Sequence, residues 1–285
     1  MTISVFNLFS IGIGPSSSHT VGPMKAAKAF VDKLEDQSRL RQVKQIKVEL
    51  FGSLAFTGKG HGTDNAILSG LEGKSPDTVI PDSLLPRAQE IIETRLICLL
   101  GSHAVPFDYQ TDFIFNINDL LPAHTNGMRF TAYAQDETVI YSAIYYSIGG
   151  GFILDEDQAA HPQPIDTTDI PYSFTSAKTL LAQCEKHQLS IHELMMANES
   201  TLRPASEVSA QLLQIANVMR ECIDKGCSTP GILPGGLNIK RRAPLLYQKL
   251  LTKGKPRGYD HTDSMEWLNL YAIAVNEENA GGGRV

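Results

Sequence analysis

A change of hydrophobic period part-way along the chain is the feature that most constrains its fold. From Val43 to Leu50 apolar and polar residues alternate, and this period of two predicts a half-buried strand. Beyond Ala205 apolar residues recur at helical spacing as far as Lys225, with Gly226 as the predicted stop. The chain therefore combines a part that contains strands with a later helical part.

Further segments of the first half support this division. Segments rich in β-branched and aromatic residues predict strands at 112–115, 128–134 and 138–148, and helical patterns cover 21–34, 64–71 and 83–93. We expect an α+β N-terminal domain (1–160) with a mostly antiparallel sheet, followed by a mainly α-helical domain (173–285). The proline-rich stretch 161–172 is the predicted linker.

Composition narrows the classes of function. The chain has 285 residues, 42% of them hydrophobic, and a net charge of −6, which argues against a nucleic-acid partner because phosphate binding needs clustered Lys and Arg. No apolar run is long enough for a membrane span, and the N-terminus lacks a basic signal-peptide region, so the cytoplasm is the expected compartment. The four cysteines show neither a zinc spacing nor a disulfide framework.

Two polar segments punctuated by glycine each precede a predicted helix. The first, 12–23, contains three serines followed by His19 and predicts an anion site, the alternative being an N-cap with surplus serines. The second, 60–65, places His61 between two glycines, and a side chain that titrates near neutrality suits a general base. A loop histidine without a chemical role explains His61 equally well, and Thr63 is the predicted helix cap.

Two further polar segments border predicted strands. In 124–129 an Asn-Gly pair suits a tight turn, but a turn does not account for His124 and Arg129, and a guanidinium group binds carboxylates in bidentate fashion. In 145–152 three glycines at a strand end indicate a close approach of backbone to a ligand, with Ser147 at that edge. Together the four segments predict a polar small-molecule site on loops of a rigid domain.

Six strings, in order along nearly the whole chain, resemble one protein family. SSSHTVGP, HGTD, HTNGMRF and YSIGGGF are similar to the β domain of bacterial single-chain iron–sulfur L-serine dehydratases. LPGGLNIKRRAP and NEENAGGGRV resemble the start of the α domain of the same family. Family β domains are also similar to the allosteric substrate-binding domain of some phosphoglycerate dehydrogenases.

The resemblance implies a lyase that converts L-serine to pyruvate and ammonia with an oxygen-sensitive [4Fe-4S] cluster. One iron with an open position would act as a Lewis acid on the substrate. No cysteine of this chain falls on a family ligand position. We therefore expect the cluster ligands beyond Val285, and a chain that is truncated within the α domain and inactive alone. The resemblance also implies a homodimer.

The resemblance also suggests roles for individual residues. His61 is the expected base or proton relay, with Ser147 beside it and His19 as the third catalytic residue. The split between base and positioning roles stays open. The other side chains expected to hold the substrate are Ser16, Ser18, Thr63, His124, Asn126 and Arg129.

Two other functions compete with this interpretation. A pyridoxal-phosphate dehydratase needs a Schiff-base lysine and a phosphate-binding glycine loop, and no lysine here stands in a matching motif. A non-enzymatic module that binds serine for regulation is the second alternative, because this chain is not expected to hold the cluster alone. The absence of turnover with retained binding of L-serine would favour that module.

Overall fold

The structure, a computed structural model, describes residues 4–161, 170–234, 238–253 and 261–285. The chain divides into two compact units, one of Met1–Ser10 with Pro162–Arg220 and the other of Ile11–His161 with Glu221–Val285. Within the described ranges, no helix combines the length and the apolar character that crossing a membrane requires. The domain boundaries predicted above stay a prediction, and residues 162–169 of the predicted linker lie outside the described ranges.

The strands are β1 (Gln45–Phe51), β2 (Leu96–Leu99), β3 (His103–Pro106), β4 (Phe113–Asn116), β5 (Gly127–Tyr133), β6 (Val139–Gly149) and β7 (Phe152–Asp155). The helices are α1 (Val5–Leu8), α2 (Gly22–Asp36), α3 (Gly52–His61), α4 (Thr63–Leu71), α5 (Leu84–Thr94), α6 (Tyr109–Asp112), α7 (Glu156–Ala160), α8 (Ala177–His187), α9 (Ile191–Glu199), α10 (Ala205–Ser228), α11 (Ala243–Lys253) and α12 (His261–Ala280).

A five-stranded sheet in the order β4-β1-β5-β6-β7 forms the centre of the larger unit. β1 runs parallel to β4, and the other three pairings are antiparallel, which confirms the predicted α+β fold with its mostly antiparallel sheet. β2 and β3 form a separate antiparallel pair. Each of the four strands predicted from the sequence is present within one or two residues of its expected bounds.

One face of this sheet carries the core. Val48 and Leu50 of β1 and Phe130 of β5 are fully buried in one cluster with Phe30 of α2 and Ile67 of α4. Side chains alternate between the two faces of a strand, so the residues between these core positions point to the opposite face. α2 and α4 therefore cover the apolar face of the sheet.

The helices near the C-terminus of this unit form a second, smaller core that includes Cys227, Leu250 and Ala274. The prediction that Gly226 stops a helix is wrong, because α10 continues to Ser228. A Cβ atom on Gly226 would lie 2.7 Å from the carbonyl carbon of Ala274, so the glycine allows α10 and α12 to approach closely.

The smaller unit is helical over its described residues. Ser190 caps α9 with a reciprocal capping box to Glu193. Glu199, at the other end of α9, is almost fully buried and accepts hydrogen bonds from the backbone N–H of Val5 (2.7 Å) and the hydroxyl of Ser4 (2.9 Å). This carboxylate therefore fixes the N-terminal helix α1 to α9.

Candidate active site

His19 lies at the centre of a network of hydroxyl groups. It belongs to a single π-helical turn, Ser17–Val21, that leads into α2. Its Nδ1 is 2.9 Å from Ser18 Oγ, and its Nε2 is 3.0 Å from Thr57 Oγ1. Thr57 Oγ1 also lies 2.9 Å from the carbonyl oxygen of Ser53, to which it donates. Nε2 of His19 is thus the donor to Thr57, and Nδ1 accepts from Ser18.

Burial, together with the nearby His61 ring, holds the pKa of His19 below its ordinary value. The two ring centroids are 4.7 Å apart, so protonation of both rings would place like charges side by side. His19 is therefore neutral near pH 7.

The tautomer of His61 follows from one hydrogen bond. His61 is the last residue of α3, and its Nδ1 lies 2.9 Å from the carbonyl oxygen of Thr57. A carbonyl oxygen only accepts, so Nδ1 carries the proton and Nε2 carries the lone pair. Thr57 thus contacts both histidines, with its hydroxyl on His19 and its carbonyl on His61, and it leaves His61 able to take up a proton at Nε2.

The turn after His61 depends on Gly62. This residue joins α3 to α4 in the left-handed region, at φ +66°, where a side chain is strained. Thr63 is the first residue of α4 rather than its cap, so the predicted capping role is wrong. Its side chain is fully buried, and its hydroxyl has no hydrogen-bond partner among the described residues.

Ser147 on β6 is fully buried against the start of α2. Its hydroxyl has no hydrogen-bond partner within the described part of the chain. A Cβ atom on Gly22 would overlap this hydroxyl and lie 2.9 Å from the Cβ of Ser147. The glycine of the SSSHTVGP string and the serine of the YSIGGGF string are therefore in direct contact.

The segment around Asn126 is joined to Ser147 through the backbone. The side-chain amide of Asn126 donates to the carbonyl of Ser147 (3.1 Å), and the N–H of Ser147 donates to the carbonyl of Asn126 (3.0 Å). His124 Nδ1 accepts from the N–H of Asn126 at 3.0 Å. The N–H of Ser53 donates to the carbonyl of Thr125 (2.9 Å), so the same segment also contacts the helix that carries His61.

Arg129 is the predicted site residue that the structure does not bring to this cluster. Its neighbours Met128 and Phe130 are fully buried in the core under α2, so Arg129 points to the opposite face of the sheet. There its guanidinium lies 3.6 Å from Glu49 and 5.3 Å from the centre of the Phe51 ring. The other predicted residues (Ser16, Ser18, His19, His61, Thr63, His124, Asn126 and Ser147) occupy the connected segments described above.

A cleft of about 770 Å³ opens beside His61. Its walls include Pro15 at the serine-rich segment, Asn65 on α4 and Gly281 after α12. Lys59 is the one Lys or Arg among the described residues that line it, and its ammonium lies 5.1 Å from the centre of the Phe115 ring. Sequence reasoning missed Lys59, and the available signal was its place two residues before His61.

Sequence reasoning also missed Ser53 and Thr57, which contact His19. Both lie on α3, a helix that the sequence did not predict because the segment GSLAFTGKGH contains three glycines, which are poor helix formers. A four-residue spacing puts Ser53, Thr57 and His61 on one side of that helix, and this spacing was the available signal.

The described residues do not fit an iron–sulfur cluster. No group of three or more His, Cys, Asp or Glu within the described ranges lies close enough together to hold a metal ion. Thiolate is the form of cysteine that binds metal, and burial raises the pKa of Cys222 to about 11 and also raises the pKa of Cys227. Both thiols therefore stay protonated near neutral pH.

Comparison with known proteins matches two consecutive parts of the chain. The serine dehydratase beta chain family matches residues 4–158, and the serine dehydratase alpha chain family matches residues 186–285. The first match covers more than half of the chain.

Curated relatives align over the whole chain. It is 47% identical to an L-serine dehydratase of Streptomyces coelicolor over 286 residues, which are 100% of this chain and 62% of the relative. The identity is 47% with L-serine dehydratase 2 of Escherichia coli (99% of this chain, 62% of the relative) and 38% with an L-serine dehydratase of Helicobacter pylori (100% and 62%). The chain thus spans less than two thirds of the length of these relatives, and it belongs to the serine dehydratase family.

Proposed function

We propose that this chain forms the acid–base part of an L-serine ammonia-lyase, which converts L-serine to pyruvate and ammonia. The observation that carries the proposal is the hydrogen bond from His61 to the carbonyl of Thr57. It leaves the lone pair on Nε2 of a side chain that lines the cleft. The relatives' names support L-serine as the substrate, and the geometry supports His61 as the base.

In the proposed reaction L-serine loses the Cα proton and the β-hydroxyl group, together one water. His61 Nε2 accepts the Cα proton, and a positioned base of this kind contributes roughly 10²–10⁴-fold to the rate. The aminoacrylate that forms is released, tautomerises to an imine and is hydrolysed by water to pyruvate and ammonia. His19 stays neutral because burial and the nearby His61 ring hold its pKa below the ordinary value, so it adds no positive charge beside the proposed base.

The buried hydroxyl groups support substrate binding. Among the described residues, the hydroxyls of Ser147 and Thr63 have no hydrogen-bond partner. Burying a hydroxyl without a partner costs folding free energy, and a bound substrate would supply the missing hydrogen bond. The hydroxyl oxygens of Ser16 and Ser18 lie 3.2 Å apart and belong to the His19 network. We assign these four hydroxyls, with His124 and Asn126, to the binding and shaping of the serine site, while a role for Arg129 stays a prediction.

The [4Fe-4S] cluster also stays a proposal, since the cysteines and carboxylates described here do not fit it. We assign its ligands to residues outside this chain and derive no step at the cluster. A homodimer, a cytoplasmic location and the absence of a nucleic-acid partner likewise stay predictions.

The test is His61→Asn in a protein of the relatives' full length that carries this sequence, assayed anaerobically for pyruvate. We expect kcat to fall by roughly 10²–10⁴-fold, with the iron content unchanged. His103→Asn is the matched control, because the His103 side chain also contacts a backbone carbonyl, that of Val43 at 2.8 Å, and it lies on β3, outside the five-stranded sheet. A His61→Asn enzyme with near-normal kcat and an intact cluster would refute the assignment of the base.

A further inference from the structure

The glycine-rich segment Asn279–Val285 is hydrogen-bonded to the polar segment that begins at Gly12. The N–H of Gly12 donates to the carbonyl of Val285 (2.7 Å), and the N–H of Val285 donates back to Gly12 (3.1 Å). The N–H of Gly14 donates to the carbonyl of Gly283 (2.9 Å). These bonds form a short antiparallel bridge between two segments that lie at opposite ends of the sequence.

Among the contacts of this segment, the one made by Asn279 lies nearest to the His19 network. Its side-chain amide donates to the carbonyl of Pro15 at 3.2 Å. A Cβ atom on Gly14 would overlap the carbonyl oxygen of Asn279 and lie 2.7 Å from its carbonyl carbon, so no side chain fits between them. The residue after Pro15 is Ser16, whose hydroxyl lies 3.2 Å from that of Ser18 in the His19 network.

We propose that Asn279 is a positioning residue for the serine site, acting through Pro15 on the turn that carries Ser16, Ser18 and His19. Asn279 belongs to the NEENAGGGRV string, to which the proposed function gives no role. The expected effect of Asn279 on L-serine binding rests on the proposed function. The expected effect on the surroundings of His19 does not rest on it, because that effect follows from the hydrogen bonds alone.

The other end of the same segment is anchored separately. The guanidinium of Arg284 donates to the carbonyls of Asp77 and Val79 in the turn that follows α4. Removing the Asn279 amide therefore leaves this anchor and the backbone bridge in place. We expect the change to be confined to the turn from Pro15 to His19.

Glu277, two residues earlier on α12, provides a matched control. Its carboxylate is almost fully buried and accepts from the backbone N–H groups of Arg242 (2.8 Å) and Ala243 (3.2 Å), and it thereby caps α11. Glu277→Gln should weaken this cap and lower the melting temperature. It should leave the surroundings of His19 unchanged.

The experiment compares the 285-residue chain, Asn279→Leu and Glu277→Gln. The histidine ring resonances are followed by NMR as a function of pH, and L-serine binding is measured by titration calorimetry. Asn279→Leu keeps the branched shape of the side chain but removes the donor. We expect it to move the pKa of His19 up towards the ordinary value and to weaken L-serine binding by roughly 3- to 10-fold, which corresponds to one hydrogen bond.

The inference is overturned if Asn279→Leu leaves the His19 titration unchanged, or if Glu277→Gln shifts it as much. If the wild-type chain does not bind L-serine, the proposed substrate site in this chain fails, and the His19 titration still decides the role of Asn279. Should Asn279→Leu not fold, Asn279→Ala removes the same donor without adding apolar bulk and is read in the same way.

Discussion

Replacing Gly22 with alanine should destabilise the protein even though its backbone suits alanine. Gly22 has φ −59° and ψ −53°, the right-handed helical region, where Gly→Ala ordinarily stabilises by about 0.4–1 kcal/mol. Here the new methyl group would overlap the Ser147 hydroxyl and lie 2.9 Å from its Cβ. Forcing extra volume into a packed interior costs about 1–3 kcal/mol, so we expect a net loss of about 1–2 kcal/mol.

The contact with Ser147 can be isolated by a double-mutant cycle. Ser147→Ala alone removes a buried hydroxyl that has no partner among the described residues, so it should be neutral or stabilise by up to about 1 kcal/mol. Gly22→Ala in that background loses the worst overlap and should cost less than about 1 kcal/mol. The two substitutions should therefore couple by about 1 kcal/mol or more.

The assay is urea denaturation of the wild-type chain, both single variants and the double variant. Gly60→Ala is the matched control, because its Cβ would enter open space, with nothing within 4 Å beyond its chain neighbours and its own helix backbone, and it should stabilise the protein. Effects of Gly22→Ala and Ser147→Ala that add within about 0.3–0.5 kcal/mol would refute the argument. So would a Gly22→Ala chain more stable than wild type.

Two further predictions concern charged groups. Arg241 pairs with the buried Glu278 at 2.5 Å. Among the described residues, Arg241→Met leaves that carboxylate with only the weaker contact to Lys225 at 3.6 Å, so the free energy of unfolding should fall by about 3 kcal/mol in the same urea assay. An unchanged midpoint would contradict this expectation. The pKa of His19 in the folded protein lies below the ordinary value of about 6.5 that it has in the unfolded chain. As the pH falls below about 6.5, the unfolded chain therefore protonates His19 first, and the free energy of unfolding should decrease until the folded protein also binds this proton. His19→Gln should flatten this part of the stability–pH curve, and an identical curve for both proteins would count against a buried, neutral His19.

Much of the fold could be predicted from the sequence because the relevant patterns are local. A period of two specified β1, and β-branched and aromatic residues specified β4, β5 and β6. Apolar residues at helical spacing specified α2, α4 and α10. The helix α3 was missed, since its three glycines oppose helix formation and its stability comes from packing against the sheet.

Eight of the nine residues that the sequence proposes for the site lie on segments that contact one another, and their functional roles stay predictions. The sequence could not give their arrangement. The strand pattern showed that Arg129 alternates with buried neighbours, but only the position of α2 decided which face of the sheet is covered, and Arg129 lies on the other one.

The local sequence by itself determined the α+β fold class, the strands β1, β4, β5 and β6, and the family. Tertiary structure alone decided which atoms meet, because the contacts join residues far apart in the chain. His19 meets Thr57 across 38 positions, and Asn279 meets Pro15 across 264. A glycine in the sequence predicts only that something needs space or freedom there. Packing showed that Gly22 makes room for Ser147 and that Gly226, in the middle of a helix, makes room for α12.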